Sequence, residues 1–234
     1  MIHLKTNLDL KPLLLVPVLA LLALPLVGSF DTWLTLSVAG LAMGMIIFIM
    51  ASGLTLVFGL MDVLNFGHGV FIALGAFVAT SVLSGMVDWT QSQELWRNLV
   101  AVGAAMMLAM IAASVIGLAF ERFIVRPVYG QHLKQILITM GGMIIGEEVI
   151  KVIWGPLQIA LPLPEAMRGS LLWGDASLEK YRLMAVVVGL IVFALQAWTL
   201  SQTKVGLLIR AGVQDREMVE SLGYKIRRLF VGVF

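Results

Sequence analysis

The chain has 234 residues, 60% hydrophobic and 13% charged, with a mean hydropathy of +0.98. Soluble domains carry about 25% charged residues, so this composition excludes a soluble domain and belongs to an integral membrane protein. The net charge is +2 with basic residues spread along the chain, which implies no nucleic-acid surface, and the lack of cysteine excludes disulfides, iron–sulfur clusters and thiol catalysis.

Met1 to Lys11 is polar and carries Lys5 and Lys11. Pro12 to Val27 is then almost wholly apolar and is expected to form a first, uncleaved span, because Pro25 to Ser29 makes a poor signal-cleavage site. Leu34 to Leu60 is the second span and contains Gly40-x-x-x-Gly44, a spacing that can bring two helix backbones close. Val70 to Met86 is the third. The polar loop Val87 to Asn98 holds Asp88, Trp89, Glu94 and Trp96, which suits an outer interface anchored by aromatic rings. Leu99 to Phe120 is the fourth span and runs into Arg122, Arg126 and Lys134. Ile136 to Trp154, with Gly141, Gly142 and Gly146, is the fifth. A long loop, Gly155 to Arg182, contains Pro156, Pro162 and Pro164 and leads to the sixth span, Leu183 to Leu200.

Ser201 to Arg228 is polar and basic, and Leu229 to Phe234 starts another apolar run. Six residues cover about 9 Å against a hydrocarbon core of about 30 Å, so no span is completed there. The chain is therefore expected to be incomplete, part of a longer product rather than a natural short form.

The expected fold is an all-α integral membrane protein. It is a polytopic helical bundle of about six complete transmembrane helices plus the start of a seventh, with a cytoplasmic N-terminus. Lysine and arginine support that orientation. With the N-terminus inside, Lys5, Lys11, Arg122, Arg126, Lys134, Lys204, Arg210, Arg216, Lys225, Arg227 and Arg228 are cytoplasmic. Arg97, Lys151, Arg168, Lys180 and Arg182 fall outside, in accord with the positive-inside rule.

The stretch around which the chain is organised is Gly53 to Phe77, where two apolar runs meet over a polar hinge. The hinge, Asp62 to Gly69, holds Asp62, Asn65 and His68, with Gly67 and Gly69 on either side of the histidine. Unpaired polar groups at membrane depth are costly and normally face protein or a water-filled cavity. The reading is a helix, a broken or re-entrant turn in which both glycines are closely packed, and a second helix. Asn65, Phe66, Gly67, His68 and Gly69 become candidates for a substrate path, and His68 is also read as a group that satisfies a neighbouring carbonyl.

Lys204 to Lys225 is the second informative stretch. Asp215 can cap a short helix with Arg216 and Glu217 in its first turn and Gly223 as the glycine that ends it. Met218, Val219 and Leu222 make one apolar stripe, with Arg216 and Glu220 on another face. Such a helix in a cytoplasmic loop offers a rigid knob to a partner's groove. In the fifth span, Lys151 follows Glu147 by four residues, a spacing that suits an ion pair. The three histidines, His3, His68 and His132, lie far apart and show no metal-binding spacing, and no phosphate-binding G-x-x-x-x-G-K-(S/T) is present.

GLTLVFGLMDVLNFGHGVFIALGAF, residues 53–77, resembles the early segment of the permease subunits of branched-chain amino-acid ABC importers. That family has N-F-(A/G)-H-G followed by L-G-A-(Y/F), often with an acidic residue after H-G, where this chain has Val70. Arg210-Ala211 to Gly223 resembles the cytoplasmic loop of ABC importer permeases, with Glu217 and Gly223 in the Glu and Gly positions of its motif.

The resemblance implies a single permease domain over residues 1–234, with a cytoplasmic coupling loop at 203–226. In that loop Arg210, Asp215, Arg216, Glu217 and Gly223 would meet the ATPase. It implies transport of branched-chain amino acids across a bacterial inner membrane without an ATP site or cofactor in this chain. The implied partners are two cytoplasmic ATP-binding subunits, a second homologous permease, a periplasmic amino-acid-binding protein and the lipid bilayer. Rival readings are a permease for urea, an amide or another amino acid, a membrane-embedded enzyme using His68, Asp62 and Glu147, and an ion channel. The enzyme lacks a third positioned group, and the channel lacks a repeated filter.

Overall fold

The computed structural model describes residues 10–61, 63–214 and 216–224. These run as α1 (Leu10–Val27), α2 (Phe30–Met61), α3 (His68–Gly85), the short α4 (Val87–Thr90), α5 (Leu95–Phe120), α6 (His132–Trp154), α7 (Lys180–Gln202), α8 (Lys204–Gln214) and α9 (Arg216–Ser221). A π-turn (Glu121–Val125) and a 3-10 turn (Arg126–Val128) extend α5. Lipid offers no hydrogen bonds to a backbone, so apolar runs of this length close their own bonds as helices.

Among the described residues, four stretches are long and apolar enough to cross a membrane: 30–59, 68–85, 95–128 and 180–202. The first expected span lies on α1, whose described apolar part, Leu14–Val27, is shorter. The fifth lies on α6, which has 23 residues but carries Glu147, Glu148 and Lys151 in its C-terminal third and is not among the four. The apolar run Leu229 to Phe234, the cap Asp215 and the hinge residue Asp62 lie outside the described residues.

The long helices pack as α2 against α7 and α3 against α5, with α6 closing on α3. Glycine sets how near they come. A Cβ on Gly189 of α7 would stand 2.5 Å from Met45 of α2, and one on Gly146 of α6 would stand 2.5 Å from Val70 of α3. The expected contact at Gly40 and Gly44 is not made among the described residues: a Cβ on either meets nothing within 4 Å, because both lie on an exposed stripe of α2. Met45, on another face of the same helix, takes the contact instead.

The loop after α6 departs from the all-α expectation. It holds a 3-10 turn (Glu165–Met167) and an antiparallel hairpin of β1 (Ser170–Trp173) and β2 (Ala176–Glu179), paired Ser170 to Glu179 and Trp173 to Ala176. Gly174 supplies the left-handed residue of the turn, φ +63°, which glycine adopts without steric cost. The hairpin sits over the start of α2, where the Ser177 amide donates to the Thr35 hydroxyl at 3.3 Å. Asn98, fully buried, donates through Nδ2 to the Ser92 carbonyl (2.7 Å) and accepts at Oδ1 from the Ala166 amide (3.3 Å). One side chain thus ties the loop after α4 and the loop after α6 to α5.

At the opposite end of the bundle a buried core joins Val57 of α2, Val63 just after it, Val125 of the π-turn, Ile209 of α8 and Val219 of α9. Phe120, Tyr129, Leu200, Leu208 and Ala211 pack around it.

Candidate functional site

The hinge between α2 and α3 is a sealed turn. Asn65 is 5% exposed, and its Oδ1 accepts the Gly67 amide at 3.0 Å. The His68 amide donates to the Asn65 carbonyl at 3.2 Å and the Val70 amide to the Gly67 carbonyl at 3.0 Å. Thr139 of α6, fully buried, donates to the Leu64 carbonyl at 3.2 Å. Asn65 and Thr139 thereby satisfy backbone groups at the break with side chains of this chain, as a buried non-helical segment requires.

His68 lies across α2. Its Nε2 stands 3.1 Å from the Met50 carbonyl. A carbonyl oxygen only accepts, so Nε2 carries the proton in this contact. A Cβ on Gly53 would stand 3.3 Å from the ring, so that glycine makes room for the histidine one turn along α2. The histidine is a tie between the two arms of the hinge.

The two hinge glycines differ. A Cβ on Gly67 would meet Asn65 Oδ1 at 3.2 Å, the Phe120 ring at 3.7 Å and the Thr139 carbonyl at 3.7 Å. One on Gly69 would meet nothing within 4 Å, so the expectation of close packing at both positions is corrected. Gly67 has φ −73°, so close approach rather than left-handed backbone calls for glycine there. Phe66 is 48% exposed, whereas its neighbours Asn65 and Gly67 are buried. Val70, at the position where the resembling family often has an acid, packs against Gly146 of α6.

The stretch expected to couple to an ATPase folds, over its described residues, as the two helices α8 and α9. The expected single short helix corresponds to α9. Arg210, placed on α8, donates from its guanidinium to the Leu200 carbonyl in the last turn of α7, where a cation complements the helix dipole. Gly223 closes α9 with φ +86°, and the Tyr224 amide reaches back to the Val219 carbonyl at 3.4 Å, the reach-back bond of a Schellman ending. The expected apolar stripe divides. Val219 is 2% exposed and enters the core, while Met218 (53%) and Leu222 (66%) remain on the surface. Arg216 and Glu217 open α9.

Comparison with known proteins decides the family. Over residues 36–234 the sequence matches the family described as branched-chain amino acid transport system / permease component. The chain belongs to this family. It is 28% identical over 208 residues to the high-affinity branched-chain amino acid transport system permease protein BraD of Pseudomonas aeruginosa, covering 84% of this chain and 64% of that protein. The corresponding permease protein LivH is 26% identical over 203 residues in Salmonella typhimurium and 25% over 201 residues in Escherichia coli K12. Each of those two matches covers 83% of this chain and 63% of the relative, so the chain spans less than two thirds of the length of these proteins. No solved structure matches.

As a member of a permease family with several apolar helices long enough to cross a bilayer, the chain is a multi-pass membrane protein. The hinge lies at residues 63–68, within the matched region, and α8 and α9 do as well. The ion pair expected between Glu147 and Lys151 is made instead by Glu148, whose Oε1 accepts from Lys151 Nζ at 2.7 Å, both side chains being exposed. Spacings of three and four residues both meet on a helix, and the rotamer adopted here selects three.

Several working residues carried no signal in the sequence. Thr139 lies between apolar residues, Phe120 and Val125 each at the end of an apolar run, and all three are distinguished only by what they touch. Gly142 could have been singled out from the Gly141–Gly142 pair, and Glu121 from its place at the end of an apolar run.

Proposed function

We propose that this chain is the transmembrane permease subunit of an ABC importer that carries branched-chain amino acids across a bacterial inner membrane. Separate ATPase subunits drive it, and a second homologous permease and a periplasmic amino-acid-binding protein complete the complex. The observation that carries the reading is the single buried core shared by Val63 beside the hinge and by Ile209 and Val219 of the coupling segment. A permease without its own ATP chemistry needs a mechanical route from a cytoplasmic contact to its membrane path. A rigid α8–α9 unit whose apolar underside is part of the hinge's packing supplies one.

The exposed faces of Met218 and Leu222 make the knob that enters the ATPase, on a helix whose first two residues are Arg216 and Glu217. Six spans with a cytoplasmic N-terminus put α8 and α9 on the ATPase side and the β1–β2 hairpin on the binding-protein side. The relatives' names favour a branched-chain amino acid over urea or an amide.

The test is uptake of labelled leucine into proteoliposomes holding the complex assembled from the full gene product, its ATPases and its binding protein. ATP-dependent uptake displaced by isoleucine and valine is expected. Uptake displaced by urea or acetamide but not by valine would overturn the substrate, and ATP-independent uptake would overturn the mechanism.

A further inference from the structure

The hinge and the coupling segment are joined by one irregular element, the π-turn Glu121–Val125 that ends α5. Its last residue, Val125, is fully buried in the core with Val63, Ile209 and Val219. Just before the turn, Phe120 packs on that same core and meets Phe71 of α3 edge-on, ring centroids 5.4 Å apart. The Phe120 ring also borders the space beside Gly67 and occupies the space a Cβ on Gly142 would need. One end of the turn thus touches α8 and α9, and the other touches the hinge.

π-turns are rare, and within helices they frequently mark functional positions. Moving the extra residue along the helix rotates the intervening side chains by about 100°. This turn is latched. The Tyr129 hydroxyl donates to Glu121 Oε1 at 2.6 Å, bridging eight residues, and Glu121 is only 4% exposed. A buried carboxylate is held at low cost only while its donors stay in place, so the bond ties the start of the π-turn to the segment beyond it.

We propose that Glu121 and Tyr129 are positioning residues of the transport cycle: their bond holds the π-turn in the register in which displacement of α9, felt at Val125, moves Phe120 against the hinge. The inference rests on the permease reading for its function and on the shared core for its path. Neither residue touches substrate. They act through Phe120.

Two measurements test it, on Tyr129→Phe, Glu121→Leu and the shape-conserving Glu121→Gln, which keeps an acceptor oxygen. In the reconstituted complex, Tyr129→Phe and Glu121→Leu are expected to lower the leucine moved per ATP hydrolysed by at least about ten-fold, with assembly and hydrolysis retained. Glu121→Gln is expected to stay within about two-fold of the parent. The second measurement needs neither substrate nor partner: amide hydrogen exchange of the permease alone in nanodiscs. Tyr129→Phe is expected to raise exchange at both 63–69 and 216–222 and to leave the hairpin 170–179 unchanged. Unchanged transport per ATP, or faster exchange confined to 121–129, would overturn the proposal. Because the exchange arm is independent of transport, a wrong substrate and a wrong relay give different results.

Discussion

At the scale of the residue, the hinge separates two glycines that look equivalent in sequence. Gly67→Leu must displace Asn65, Phe120 or the Thr139 backbone, whereas Gly69→Leu enters open space. Overpacking a buried site costs about 1–3 kcal/mol. Gly67→Leu is therefore expected to lower the thermal unfolding temperature in detergent and abolish uptake, with Gly69→Leu close to the parent in both. Equal damage from the two would mean that Gly69 meets a surface outside this chain. Asn65→Ala leaves the buried Gly67 amide without its acceptor, a loss of about 1–3 kcal/mol that chemical denaturation in micelles can read.

At the scale of the element, α9 is closed by one left-handed glycine. In Gly223→Val a β-branched side chain meets φ +86°, a conformation costing about 1–2 kcal/mol for an L-residue. The helix end is expected to fray, and substrate-stimulated ATP hydrolysis is expected to fall while binding-protein affinity for leucine stays unchanged. Stimulation equal to the parent would remove α9 from the coupling contact. Between α5 and α6 the contact is a ring against a glycine. Gly142→Leu is expected to destabilise strongly, and the pair Gly142→Leu with Phe120→Ala to recover part of the loss, since the second change vacates the space the first requires. Additive losses in melting experiments would show that the two do not share a cavity.

At the scale of the whole molecule, the orientation is open to direct measurement because the chain has no cysteine. Leu172→Cys on the hairpin and Leu222→Cys after α9 are 77% and 66% exposed in the parent. A membrane-impermeant maleimide added to intact cells is expected to label the first and to reach the second only after lysis. The reverse pattern would invert the topology.

How much of this was legible in the sequence follows from how the forces act. The membrane class, the apolar runs and the polar interruption at Asn65–Gly69 depend on transfer from water to lipid, a property each residue carries with it. The left-handed ending at Gly223 was equally local, because only glycine adopts that backbone without strain. Which helices touch, and through which side chains, was not legible. A helix apolar on every face has no stripe to mark its inward side, so Gly40 and Gly44 looked like a contact while Gly142, Gly146 and Gly189 make the contacts found. The β1–β2 hairpin and the π-turn were hidden for a related reason: each is tied by a contact that no local pattern marks, the hairpin to Thr35 and the turn to Tyr129. Solvation, written residue by residue, settled what kind of protein this is, whereas the joining of hinge to coupling segment needed the tertiary fold, since Val63, Val125 and Val219 are only three ordinary valines until packing buries them together.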